Sequence, residues 1–347
     1  MRTLRFVVAL SLALGLPPAA ADAWIRLPAI HFATLPAGFA HPEGIAADRH
    51  GNIYVTTFDI TQAGGPGQLF VFKPSGRLLR QVSVAGSSNL LLDLAFHPDG
   101  ALLVIDFGTA RVLAVDPVTG DSTVFTTIPD VEPDPMVGPG PNVLTFDDDG
   151  NVYISDSFQG RIWRTGPAGG MVTEWLASPL LRTAGVPPFG ANGLAFNNHQ
   201  TALFVANTGN DTVIKIPVSG SPLVAGEPKV FVNSVNGADG LIVDRDDNVW
   251  VAANQANEIV VLNSDGRHVA KLGDFGGIGR DGAPNGLLFP ASLVRSGHFI
   301  YVTNLSLDLR NFNADFTTGD SAWAAEVTRH TISRIPAFIP PVQGLGH

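Results

Sequence analysis

The chain has 347 residues, no cysteine and a formal charge of −10. That excludes disulfides, thiolate nucleophiles and Cys-based zinc sites, and it argues against nucleic acid, which needs a basic footprint. With 45% apolar and only 15% charged residues, the 38 Gly and 26 Pro speak for many short strands joined by tight turns rather than for disorder.

The first element in the chain is a leader. Arg2 and Arg5 form a basic start, residues 7–16 form an apolar stretch too short to span a bilayer, and Ala19-Ala20-Ala21 follow Pro17-Pro18. This is the layout of a cleavable secretory signal over residues 1–21. The expected product is one domain over residues 22–347, periplasmic or secreted, with no membrane contact in the mature form. Two of the 21 basic residues leave with the leader, so the mature charge is −12.

Six segments then repeat one plan: a small or polar residue, an apolar strand, a turn, and a second β-rich strand. They start at Glu43-Gly44-Ile45, Leu92-Asp93-Leu94, Asn142-Val143-Leu144, Asn192-Gly193-Leu194, Asp239-Gly240-Leu241 and Ala291-Ser292-Leu293. Turns such as His50-Gly51-Asn52, Pro98-Asp99-Gly100 and Asp148-Asp149-Gly150 close antiparallel pairs. Third strands such as Gln68-Leu69-Phe70-Val71-Phe72 and fourth strands such as Val230-Phe231-Val232 complete each unit. Four strands at a period of roughly fifty residues predict an all-β six-bladed β-propeller. The last unit lacks a fourth strand, and Ile30-His31-Phe32-Ala33-Thr34 is expected to supply it and remove the free edge.

In a propeller the first strand of each blade lines the axis, so the six starting residues form a ring. Four of them (Glu43, Asn142, Asn192 and Asp239) carry side-chain oxygen, at separations of 99, 50 and 47 residues; Leu92 and Ala291 are apolar gaps. Buried carboxylates and amides are costly unless paired. Two of each on one axis call for a hard divalent cation: Ca²⁺ fits best, with Mg²⁺ or Mn²⁺ as alternatives, while zinc and copper are disfavoured.

Pro42-Glu43-Gly44, Pro141-Asn142, Ala191-Asn192-Gly193-Leu194 and Ala238-Asp239-Gly240 followed by Val249-Trp250-Val251-Ala252 resemble the gluconolactonase/regucalcin (SMP-30/gluconolactonase/LRE-like) family. That family shares its propeller with paraoxonases, diisopropylfluorophosphatase and strictosidine synthase-like proteins. The resemblance implies that Glu43, Asn142, Asn192 and Asp239 bind a catalytic calcium, and that Asp239 is also the base or nucleophile. A small-molecule lactone or ester is the implied substrate. One departure stands out: gluconolactonases read Arg-x-Asn-Asp-Gly at the second ligand, whereas this chain reads Gly140-Pro141-Asn142-Val143. It therefore lacks the Arg and Asp that would touch a sugar lactone.

Second strands return to the ring's end of the axis. Asp156, Asn207, Asn254 and Asn304, at or just after their ends, are candidate substrate contacts, as is His41. The long segments 130–141, 178–191, 274–284 and 305–329 border the same end, the last with Phe312, Phe316 and Trp323 as a candidate aromatic lid. No Gly-x-Ser-x-Gly elbow or phosphate loop is present. The rival reading is a non-enzymatic NHL-like propeller that binds a ligand or protein. The sequence leaves the oligomeric state open.

Overall fold

Six antiparallel blades, one per repeat, make up most of the described residues; five have four strands, the fourth blade adds the short strand Val224–Ala225 to its four, and Phe275–Ile278 pairs with Pro284–Gly286 in a separate two-stranded ribbon. The structure, a computed structural model, describes residues 26–60, 64–132 and 137–340, so the leader expected over residues 1–21 lies outside the described residues. None of the described helices is long and apolar enough to cross a membrane.

Blade one runs Pro42–Ala47, Ile53–Thr57, Gln68–Phe72 and Leu78–Ser83 from axis to rim. The inner strands of the other blades are Leu91–Phe96, Pro141–Phe146, Ala191–Phe196, Ala238–Val243 and Pro290–Ser296. The middle strands are buried on both faces. Ile53–Thr57 and Leu102–Asp106 have no exposed residue, because each blade is packed between two others. One cluster joins Tyr54, Leu69 and Val71 of blade one to Leu94, Leu102 and Val104 of blade two. This burial suits the β-branched and aliphatic runs that mark those strands.

The ring closes as the sequence predicts. Ile30–Thr34 pairs antiparallel with Thr331–Pro336, matching His31 with Ser333 and Thr34 with Thr331. Leu35 N–H donates to His330 O at 2.9 Å, and Phe32 meets Tyr301 edge-on at 4.7 Å. The last blade thereby gains its fourth strand.

Two details of local geometry position the site. At the end of the propeller away from the ring, an aspartate closes the hairpin of blades one, three and five. Asp48 Oδ1 accepts from His50 N–H and Asn52 N–H at 2.8 and 2.9 Å, and its Oδ2 accepts from Tyr54 Oη at 3.2 Å. Asp147 does the same with Asn151 and Tyr153, and Asp244 with Asn248 and Trp250. These side chains imitate a backbone turn and lock the strand register.

At the other end, every blade carries a β-bulge at the ring position. Pro42 pairs with Thr57 but Ile45 with Val55, so three residues on the inner strand oppose two on its neighbour. The same slip occurs at Leu91/Leu94, Pro141/Leu144, Ala191/Leu194, Ala238/Leu241 and Pro290/Leu293. A bulge re-aims one side chain, and here that side chain is the ring residue of each blade.

Candidate metal centre

Glu43, Asn142, Asn192 and Asp239 line one small cavity of about 40 Å³ together with Leu92. Their exposures lie between 2% and 6%, so they are withdrawn from bulk solvent. Ala291, the other gap in the ring, is buried but does not line this cavity. A larger cavity of about 530 Å³ occupies the opposite end of the axis. It is walled mainly by inner-strand residues, and none of the four ring residues with side-chain oxygen lines it.

The next layer is the residue just past each second strand. In chain order it reads Phe58, Phe107, Ser157, Thr208, Asn254 and Leu305. Blades three, four and five hold polar residues there, and each grips its own blade's ring residue. Asn142 Nδ2 donates to Ser157 Oγ at 3.0 Å, Asn192 Nδ2 donates to Thr208 Oγ1 at 3.0 Å, and Asn254 Nδ2 donates to Asp239 Oδ2 at 3.0 Å. Ser157 Oγ itself donates to Ala191 O at 2.7 Å, so it can only accept from Asn142. That fixes the amide with its nitrogen on Ser157 and its oxygen elsewhere.

The result is a set of buried oxygens that the chain itself does not satisfy. Glu43 Oε2, Asn142 Oδ1, Asn192 Oδ1 and Asn254 Oδ1 have no hydrogen-bond partner. An orphaned buried acceptor costs about 1–3 kcal/mol, and four on residues lining one cavity are a strong departure from ordinary packing. The electrostatics agree. Burial pushes Glu43 well above the usual carboxylate range, with Asp239 and Asp93 adding like-charge repulsion. Burial raises Asp239 to about 7, against the opposing hydrogen bonds of Asn254 and Asn192. Asp93, further along the axis, is raised to about 7 by burial despite the backbone N–H groups of Leu144 and Leu94.

This donor set fits a hard divalent cation. It is all oxygen, carries two carboxylates, and its unpartnered atoms are the ones a cation would take. Among the described residues no group of three or more His, Asp or Glu is placed to hold a metal ion, so such a site depends on the two amide oxygens.

The other residues expected to contact substrate divide sharply. Asn254 lines the cavity beside Asp239. Its Oδ1 is packed onto Gly237, where a Cβ would sit 1.8 Å away, and Gly237 has φ +65°; only glycine fits. Asp156, Asn207 and Asn304 do not line the cavity. Asp156 accepts from Gly140 N–H, Gln159 and Trp163 Nε1. Asn207 donates to Leu180 O and Arg182 O, and Asn304 to Gly286 O, Thr331 Oγ1 and Ser333 Oγ. Each is opposite the residue before the ring, pairing with Pro141, Ala191 and Pro290. The axis-facing position is one residue later, since neighbouring side chains on a strand point to opposite faces. The sequence expectation was therefore one residue early in three blades.

His41 is buried outside the cavity lining, its Nδ1 3.0 Å from Leu305 O and its ring edge-on to His330 at 4.7 Å. Burial lowers its pKa. Segment 305–329 contributes Leu305, Leu307 and Leu309 to the wall rather than an aromatic lid. Trp323 packs on Phe275 and Phe316 joins the core, while Phe312 meets Phe58 at 6.0 Å.

Comparisons with known proteins agree with this architecture. The SMP-30/Gluconolactonase/LRE-like region matches residues 186–273, which carry Asn192 and Asp239. The chain is 27% identical over 243 residues to lactonase drp35 of Staphylococcus aureus (strain bovine RF122 / ET3-1), covering 66% of this chain and 68% of that protein. Among solved structures it resembles a luciferin-regenerating enzyme with TM-score 0.61 at 17% identity, covering 87% of this chain and 93% of the other. It also resembles the calcium-binding protein regucalcin of Agrobacterium tumefaciens strain C58, with TM-score 0.58 at 18% identity, covering 91% and 99%. The resemblance to the gluconolactonase/regucalcin family read from the sequence is therefore shown, and the structural likenesses establish the six-bladed fold.

Proposed function

We propose that this chain is an exported, Ca²⁺-dependent hydrolase of lactones or related esters. The carrying observation is the convergence of three unpartnered buried oxygens, from Glu43, Asn142 and Asn192, on a cavity that also holds Asp239. Similarity to a lactonase supports the substrate class, and similarity to a calcium-binding propeller supports the metal. Mg²⁺ or Mn²⁺ would satisfy the same hard donors.

A bound Ca²⁺ would polarise the carbonyl and stabilise the developing oxyanion. The chain's own residues do the rest. Ser157 and Thr208 hold the Asn142 and Asn192 amides by nitrogen, keeping their oxygens available. Asn254 fixes Asp239 through Oδ2. Asp239 takes the proton of the attacking water on its other carboxylate oxygen. The acyl C–O bond breaks, and that proton passes to the departing alkoxide, giving the hydroxy acid. Attack by the carboxylate itself is the covalent variant of this route.

The test has two arms. Melting with EDTA and with restored Ca²⁺ should show a clear metal-dependent stabilisation; no shift would remove the site. Asp239→Asn should lower lactone hydrolysis by about a thousandfold, and full activity with calcium bound would overturn its role. A calcium shift with no hydrolysis of any lactone or aryl ester would point instead to a ligand-binding propeller.

A further inference from the structure

The layer above the donor ring is chemically divided. Blades three, four and five present Ser157, Thr208 and Asn254, while blades six, one and two present Leu305, Phe58 and Phe107. The apolar half is part of a larger surface. Phe107 meets Phe58 at 5.6 Å, Phe158 at 5.6 Å and Phe189 at 6.2 Å; Phe158 meets Phe189 at 5.4 Å. Phe58 and Phe189 also line the cavity itself. The wall thus runs without a break from the donor ring to Phe312, which is 44% exposed. Phe107, Phe158 and Phe189 are each only partly buried, so this is not simply core.

Outside the donor ring this surface is poor in groups that could recognise a polar substrate. Among the described residues no Lys, Arg or His lines the cavity, so a carboxylate or phosphate on the substrate would meet no counter-ion there. Beyond the ring, the only polar side chains among the described lining residues are Thr208 and Asn254; Thr208 Oγ1 and Asn254 Nδ2 bond ring residues, and Asn254 Oδ1, though without a hydrogen-bond partner, is packed against Gly237. Sugar hydroxyls would be buried without partners, at a cost for each. Gly140, two residues before Asn142, is covered by the Phe158 ring, which a Cβ there would approach to 2.8 Å. A polar side chain at that position would have to displace the ring.

We infer that the site selects an uncharged lactone bearing an apolar substituent. Its carbonyl faces the donor ring, and its substituent lies along Phe58, Phe107, Phe158, Phe189 and Phe312. The inference rests on the lactone-hydrolase reading and specifies its substrate. Each methylene moved from water onto this wall is worth about a fourfold gain.

The experiment measures kcat/KM of the Ca²⁺-saturated protein on δ-valerolactone, δ-decalactone and glucono-δ-lactone. δ-Decalactone should exceed δ-valerolactone by roughly a hundredfold, and glucono-δ-lactone should be the poorest. Phe107→Ser and, separately, the exposed Phe312→Ser should each cut the δ-decalactone to δ-valerolactone ratio several-fold, chiefly through KM. Hydrolysis of δ-valerolactone or glucono-δ-lactone without a preference for δ-decalactone would overturn this inference while sustaining the lactonase. Failure on all three would overturn both. A ratio unchanged in both folded variants would remove the phenylalanine wall as the selecting surface.

Discussion

The two ends of the propeller treat buried oxygen in opposite ways. Away from the ring, Asp48, Asp147 and Asp244 are each satisfied by their own hairpin. Asp48 even sits below its usual pKa, because hydrogen bonds from Asn52, His50 and Tyr54 outweigh its burial. At the ring end, Glu43 and Asp239 are driven upward, and four oxygens lack partners. One fold, built of one repeat, thus satisfies its hairpin aspartates at the structural end and gathers unpartnered oxygens around a single cavity at the other. Several unpartnered oxygens gathered around one cavity mark where a ligand would supply what the chain does not.

The largest expected effect breaks the satisfied end. Asp147→Ala strands the amides of Asp149 and Asn151, the Asn151 side chain and the Tyr153 hydroxyl. It should cost about 3 kcal/mol in denaturant unfolding and leave kcat of the folded protein intact. The ring end should respond with the reverse sign. Glu43→Met should raise metal-free stability by about 2 kcal/mol, as removal of an uncompensated buried polar group does, and should abolish the calcium-induced shift in melting. Destabilisation of the metal-free protein by this change would mean that the ring is not strained.

The pH dependence sharpens the same contrast. Asp239 and Asp93 titrate near 7 in the folded chain, so between about pH 4 and 7 the folded state holds protons that the unfolded state has released. Metal-free stability should therefore fall as pH rises through that window, by about 1.4 kcal/mol per unit for each carboxylate. His330, lowered to about 3 by burial and by His41, acts in the opposite sense below pH 6.5. Melting curves in EDTA subtracted from those in saturating Ca²⁺ isolate the carboxylates, and the calcium increment should grow with pH. The smallest effect should come from Thr208→Val, which releases the Asn192 amide. Calcium affinity should drop about tenfold, as when an outer hydrogen-bond partner of a ligand is lost, with little change in metal-free stability.

Much of this molecule was legible before any coordinates. The repeat, the hairpin turns, the N-terminal strand that closes the last blade, and the register that unites Glu43, Asn142, Asn192 and Asp239 all come from local alternation and turn chemistry. Six copies of one pattern reinforce each other, so a ring position in one blade predicts it in the next. The misplaced contacts share one cause. Asp156, Asn207 and Asn304 are polar, sit at strand ends, and differ from the axis-facing Ser157, Thr208 and Leu305 by a single residue, a step that turns a side chain to the opposite face. The spacing of Asn254 from Asp239, 15 residues, is matched by Ser157 from Asn142 and nearly so by Thr208 from Asn192, at 16. That interval was the available signal.

The sequence by itself determined the propeller and the donor ring, because strand period, turn residues and bulge position are written within each repeat. Only the tertiary structure decided what the ring can do. The orientation of two amides depends on hydroxyls 15 and 16 residues away, and the phenylalanine wall draws its rings from segments as far apart as Phe58 and Phe312. Contacts between blades carry no period along the chain, so the wall that faces a substrate exists only once the circle is closed.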